Sequence, residues 1–170
     1  VRLTNRMQDQ LWRYFPAMLE LESDFSANWL LELWEAAPTP LKAARMRKAA
    51  IADILKRNRI RRFDAAHVQE VLRQRPITVT AGATEAACAH IATLIARIRL
   101  ANRQIGEAYR QIDTLTAKLS TPQENEMGQV KQRDAEILAS LPGVGRIVLA
   151  TLLAEGFDAL QRRDYAALRS

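Results

Sequence analysis

A sevenfold spacing of large apolar residues is the feature that most constrains this chain. From Thr84 to Leu119, apolar residues recur at the a and d positions of about five consecutive heptads, a pattern typical of a coiled coil. A helix over this run would be about 54 Å long, which is more than a small domain covers. We therefore predict a long coiled-coil dimerisation helix over residues 81–120, with a dimer seam formed by Ile91, Leu94, Ile98, Ala101, Ile105, Ala108, Ile112, Leu115 and Leu119.

The partner of this seam has two interpretations. Isoleucine at the a positions favours two-stranded association when helices run parallel, and alanine at several d positions permits close approach. We therefore expect a homodimer or a higher homo-oligomer, with the strand direction left open. The alternative is that the helix packs only against its own chain.

The rest of the composition predicts an all-α fold. The 170 residues contain only 6 Gly and 6 Pro, and the short alternation from Ile77 to Thr80 is too brief to build a sheet. Thr39 with Pro40, and Asp64 further on, are typical helix starts. We expect a small basic helical domain over 1–80, the coiled-coil helix over 81–120, and a third segment over 121–170.

Positive charge is concentrated in one fifth of the chain. Residues 42–75 carry 11 basic and 3 acidic side chains, whereas the remainder is slightly acidic. Such a segment suits phosphate binding, although a solvated helix face has the same composition. We predict a nucleic-acid-binding surface, here called the basic patch, formed by Lys56, Arg57, Arg59, Arg61 and Arg62.

The third segment contains the sequence Leu-Pro-Gly-Val-Gly between two predicted helices, at residues 141–145. Glycines allow a tight turn and close backbone approach, and the free amides at the start of the second helix attract phosphate. This is the pattern of a helix-hairpin-helix element, although a plain turn between helices also uses Pro and Gly. The predicted DNA-backbone contacts are Gly143, Val144, Gly145 and Arg146.

Several other classes of protein and site are disfavoured. One cysteine excludes an internal disulfide framework and fits a cytoplasmic protein, and the longest apolar stretch, near Ile147–Ala154, is too short for a membrane span. We predict no metal site, no cofactor and no catalytic residue within this chain. Glu20, Glu22 and Asp24 are interpreted as an acidic loop, and the three tryptophans as core anchors: Trp12, Trp29 and Trp34.

The order of these pieces resembles the Piv-type (DEDD) insertion-sequence transposases. The residues that carry the resemblance are Arg2–Arg6, Tyr14–Pro16, the long helix, and Ile137–Gly145 followed by Ala150–Glu155. The resemblance implies a parent protein that moves an insertion sequence by site-specific DNA recombination, in some members guided by a structured RNA. It also implies a magnesium-binding acidic domain before Val1 and a nucleophilic serine after Ser170, so that both catalytic parts lie outside the chain.

Together these features predict a nucleic-acid-binding and dimerisation fragment of a transposase with no catalytic activity of its own. DNA is its expected partner, and a structured guide RNA is a further candidate partner. The alternative is a non-catalytic helical protein–protein interaction module, in which the basic patch binds acidic proteins.

Overall fold

The computed structural model describes residues 2–120, 123–124, 130–131, 134–162, 164 and 166. The chain divides into two compact units, residues 1–103 and 104–170. The division falls inside one long helix, whereas the sequence pattern placed boundaries at 80 and 120. The described helices are α1 Arg2–Tyr14, α2 Ala17–Leu21, α3 Asn28–Ala36, α4 Pro40–Ala44, α5 Lys48–Arg57, α6 Ala65–Leu72, α7 Ala81–Ser120, α8 Asp134–Ala139, α9 Arg146–Glu155 and α10 Phe157–Arg162.

The all-α prediction is confirmed. The described residues add only a two-residue antiparallel ladder, in which β1 (Gln123–Glu124) pairs with β2 (Val130–Lys131). Two of the predicted helix starts are also present. Thr39 Oγ1 accepts a hydrogen bond from Lys42 N at 3.3 Å, and Asp64 Oδ1 accepts one from His67 N at 2.7 Å. Both caps satisfy backbone amides that the first helical turn leaves without partners.

The first unit is built around one apolar core to which helices α1–α6 and the beginning of α7 contribute. A buried polar network joins these helices. Trp34 Nε1 donates to Tyr14 Oη at 2.8 Å, and Tyr14 Oη donates to Pro38 O at 2.9 Å. The Cys88 thiol donates to the same carbonyl at 3.3 Å, so α7 is tied to α1 and to the end of α3. Burial raises the pKa of the Tyr14 hydroxyl far above its usual range.

The second unit contains the later part of α7 and the helices α8–α10. Helix α9 packs against both α8 and α10, and the buried side chains of Ala135 and Leu149 lie on α8 and α9. Among the described residues, α9 begins at Arg146, directly after the Leu-Pro-Gly-Val-Gly sequence, and ends before Gly156.

Candidate nucleic-acid interface

A sharp turn at the end of α5 presents the basic patch. Arg59 N donates to Lys56 O at 3.1 Å, and Ile60 N donates to Leu55 O at 2.9 Å. These two bonds form the Schellman motif that commonly ends a helix, and its penultimate position usually holds glycine in the left-handed region. Here Arg59 occupies it, with a φ of 56°. A long charged side chain therefore projects from a backbone position that favours glycine.

Two of the five residues in the basic patch are neutralised by acids of the same unit. Arg57 pairs with Glu32 at 2.5 Å, and Arg62 pairs with Glu22. Glu22 is buried, and its carboxylate also accepts hydrogen bonds from the Trp29 indole at 2.9 Å and from two backbone amides. Arg62 therefore holds the turn against the core through a buried carboxylate, whereas the Arg57 side chain is largely solvated. The charge of each arginine is compensated by its acidic partner.

The other three basic residues line a groove. Lys56, Arg59 and Arg61 are exposed, and none of them forms an ion pair with a described residue. The groove has a volume of about 440 Å³, and its apolar wall includes Ile60 and Phe63. Three uncompensated cations on one concave surface favour an anionic ligand, because a groove concentrates their field.

Aromatic packing fixes the wall of this groove. The Phe63 ring lies 5.9 Å from the Trp29 ring and is stacked on the His67 ring at 5.6 Å. The Arg62 guanidinium lies over the Phe63 ring, 5.0 Å from its centroid. Because these contacts anchor the segment after Arg59, the groove is held in place by the core beneath it.

The Leu-Pro-Gly-Val-Gly sequence forms a turn, here called the corner, between α8 and α9 of the second unit. Gly143 has a φ of 86°, which L-residues rarely adopt, and Gly145 caps α9 with extended backbone. A Cβ atom at either glycine would meet no atom within 4 Å, so the corner is open. No side chain of the described residues caps the amides at the start of α9. The half-buried Val144 donates its backbone N–H to Leu141 O at 3.2 Å, which closes the turn.

Arg146 differs from the sequence expectation of a free phosphate contact. Its guanidinium pairs with Asp113 at 2.9 Å and lies 5.1 Å from the centre of the Tyr109 ring. Both partners lie on α7, more than 30 residues before Arg146 in the sequence. No sequence motif indicates that they contact Arg146. Side chains of Arg146 and Asp113 are about half exposed, so the pair is solvated and weak. A phosphate would have to compete with Asp113 for this arginine.

The predicted dimer seam is divided by the structure. Ile91, Leu94 and Ile98 are packed in the core of the first unit, so this chain's own helices fill that part of the seam. This corrects the expectation that a second chain covers all of it. Ala101 and Ile112 are half-buried, and the Leu119 side chain lies outside the described residues. The exposed part of the seam consists of Ile105, Ala108 and Leu115.

The expectation for the tryptophans is wrong at one position. Trp29 and Trp34 are buried, but the Trp12 side chain is 69% exposed. The signal was available in the sequence, since Leu3, Met7, Leu11 and Tyr14 define one face of α1 and Trp12 falls on the other.

No group of His, Cys, Asp or Glu side chains in the described ranges is arranged to hold a metal ion. The acids Glu20, Glu22 and Asp24 instead bind polar groups of the protein. Glu20 accepts a hydrogen bond from Gln74 at 2.8 Å, and Asp24 accepts two from Ser26. Across the helices that the structure describes, none has the length and apolar character of a membrane span.

Comparison with known proteins gives a close local match. Over 64 residues, this chain is 72% identical to a protein of Sinorhizobium fredii (strain NBRC 101917 / NGR234) named "Putative transposase y4uE". The match covers 38% of this chain and 18% of that relative. The chain therefore spans less than a fifth of the relative's length. No family model matches the chain. No solved structure matches it either.

Proposed function

We propose that this chain is a nucleic-acid-binding segment of a transposase and acts in DNA transposition. The observation that carries this proposal is the 72% identity over 64 residues to a protein named as a transposase. The geometry of the first unit supports it, since a transposase must hold DNA and a groove lined by uncompensated cations suits its phosphates.

In this proposal the groove formed by Lys56, Arg59 and Arg61 provides the main phosphate contact. Each cation that neutralises a phosphate displaces condensed counterions, so binding weakens steeply with salt. Contacts of this kind position a nucleic acid without reading its sequence. The groove therefore accounts for affinity, and it accepts DNA or a structured guide RNA.

The corner at Gly143 and Gly145 provides a second contact with the DNA backbone. Its support is the open approach to both glycines and the uncapped amides of α9. The helix dipole adds a favourable potential for phosphate at this position. The exposed part of the seam then joins two copies of the chain, so that each dimer presents both contacts twice.

A more specific proposal is that the parent protein is a Piv-type recombinase. Other parts of the parent protein then supply the acidic, magnesium-binding domain and the nucleophilic serine. This chain contributes nucleic-acid binding and association.

Mobility shifts across a salt series test the proposal. Replacing Lys56, Arg59 and Arg61 with Glu is expected to remove about three phosphate contacts, which lowers the slope of log K against log salt by about 2 to 3. The matched control replaces three exposed arginines of α7 that form no ion pair with a described residue, namely Arg97, Arg103 and Arg110. Both variants have the same net charge.

The control separates a local site from a general charge effect. Equal losses in the two variants would contradict a specific groove. If the wild-type chain binds neither DNA nor RNA at low salt, the nucleic-acid proposal fails and an interaction with acidic proteins becomes the better interpretation.

A further inference from the structure

We infer that the exposed face of α1 is a second binding surface for nucleic acid, on which Trp12 stacks against an unpaired base. The adjacent arginines, Arg2, Arg6 and Arg13, then contact the phosphates on either side of that base. This inference rests on the proposed function, because it requires that the chain binds nucleic acid.

The exposure of Trp12 is the first observation. Its side chain is 69% exposed, while Trp29 and Trp34 are 2% and 3% exposed. Tryptophan is the largest apolar side chain, and burying it is strongly favourable. The indole of Trp12 has no packing role among the described residues, so its ring is available to a ligand.

The second observation is the arrangement of residues around α1. With 3.6 residues per turn, Asn5, Asp9 and Trp12 fall on one stripe that faces away from the core. Arg2, Arg6 and Arg13 form the neighbouring stripe, on one side of the indole. None of these three arginines forms an ion pair with a described residue. This arrangement suits a single-stranded nucleic acid, in which a base stacks on the exposed indole and the phosphates contact the guanidinium groups of the arginine stripe.

The third observation is the groove beside the indole. It has a volume of about 460 Å³ and is lined by Asn5, Gln8, Asp9, Trp12 and Leu19. The three polar side chains form no hydrogen bond to a described residue, so their donors and acceptors are available. Amide groups pair with adenine edges, and a carboxylate accepts from an exocyclic amino group such as that of cytosine. Leu19 of α2, packed against the core, provides an apolar floor for a planar ring.

The charge of Asp9 favours a base edge over a phosphate as the group that enters the groove. A phosphate in the groove would lie close to this carboxylate and be repelled, whereas a base edge would be attracted. The groove therefore takes the base, and the arginine stripe takes the phosphates. Because bases in a duplex are already stacked and paired, this surface selects single-stranded segments or unpaired loops of DNA or RNA.

Tryptophan fluorescence tests the inference in the full chain. All three tryptophans lie in the first unit, and Trp29 and Trp34 are buried, so acrylamide quenching reports mainly on Trp12. A single-stranded oligonucleotide of mixed sequence is expected to protect Trp12 from acrylamide, and a blunt duplex is not. Trp12→Ala is expected to lower the affinity for the single strand about tenfold, the size of one lost stack. Trp12→Phe keeps a stacking ring and is expected to stay within about threefold of wild type.

The outcomes separate this inference from the proposed function. If the wild-type chain binds neither strand form, the proposed function itself has failed. If it binds while Trp12 stays fully quenchable and Trp12→Ala binds like wild type, the second surface is refuted and the groove at Lys56 remains. Protection of Trp12 that rises with protein concentration in the absence of any oligonucleotide would make α1 a protein-docking face and would also overturn the inference. Circular dichroism of Trp12→Ala checks that the exposed substitution leaves the helices intact.

Discussion

Replacing Arg59 with Gly is expected to stabilise the first unit while weakening its binding of nucleic acid. The left-handed conformation costs an L-residue about 1–2 kcal/mol, and Arg59 adopts it with a φ of 56°. Glycine removes this cost but loses about 0.5–1 kcal/mol through its larger unfolded-state entropy. The net gain in the free energy of unfolding therefore lies between about 0 and 1.5 kcal/mol, and its midpoint corresponds to about 3–6 °C in the melting temperature of a unit this size.

The same substitution removes one of three uncompensated cations from the groove. The loss of one phosphate contact lowers the slope of log K against log salt by about 0.7 for a single strand or 0.9 for a duplex. Arg59→Lys is the matched control, because it keeps both the charge and the backbone strain. We expect it to be close to wild type in stability and in binding.

Urea denaturation followed by tryptophan fluorescence measures the stability term, since the three tryptophans report on the first unit. Mobility shifts over a salt series measure the binding term. A less stable Arg59→Gly variant would show that side-chain contacts of Arg59 outweigh its strain. An unchanged salt slope would show that Arg59 contacts no phosphate, and either result refutes the reasoning.

Three further substitutions test other features. Gly143→Ala is expected to destabilise the α8–α9 corner by about 1–2 kcal/mol, because its φ of 86° suits glycine, whereas Gly145→Ala is tolerated at a φ of −77°; hydrogen exchange of the corner amides distinguishes them. Ile105→Asp with Leu115→Asp is expected to reduce a dimer to a monomer by light scattering, and a wild-type monomer would contradict the proposed association. Above pH 10 the wild-type free energy of unfolding is expected to fall by about 1.4 kcal/mol per pH unit more than that of Tyr14→Phe. The raised pKa keeps the Tyr14 hydroxyl protonated in the folded chain, whereas the unfolded chain loses this proton above pH 10. The contribution of Tyr14 to the free energy of unfolding is therefore complete below pH 10 and decreases as the pH rises. Urea titrations that give parallel pH profiles for wild type and Tyr14→Phe would refute this prediction.

The local parts of this fold were predictable from the sequence. The helix N-termini at Thr39 and Asp64 each depend on a hydrogen bond between one side chain and the backbone amide three residues later. Adjacent residues in the sequence are therefore enough to predict them. The same holds for the corner, where Gly143, Gly145 and Arg146 define the turn and the start of α9.

The heptad pattern was informative about burial but not about the partner. A sevenfold repeat predicts that one apolar stripe of a helix is packed against other helices. It does not indicate whether those helices belong to another copy or to the same chain. Ile91 and Ile98 obey the same spacing as Ile105, yet the first two lie in the core of their own unit and Ile105 is 54% exposed.

Ion pairing was the least predictable part of the candidate site. Arg57 and Arg62 were grouped with Lys56 because they are neighbours in the sequence, but Glu32 and Glu22 approach them from other elements. A charge count along the chain has no information about such distant partners. It therefore overstates the field of the groove, where three of the five basic side chains remain uncompensated.

The buried carboxylate of Glu22 has a consequence for how losses of binding should be interpreted. It holds the Trp29 indole and Arg62 together, and Arg62 belongs to the segment that forms the wall of the groove. Neutralising Glu22 would make the surface formally more positive. It would also release the segment around Arg62, which holds Arg59 and Arg61 in position beside the groove. In the proposed interface, the surface that binds anions depends on a negative charge beneath it, so a mutational survey that seeks only basic residues would overlook part of the site.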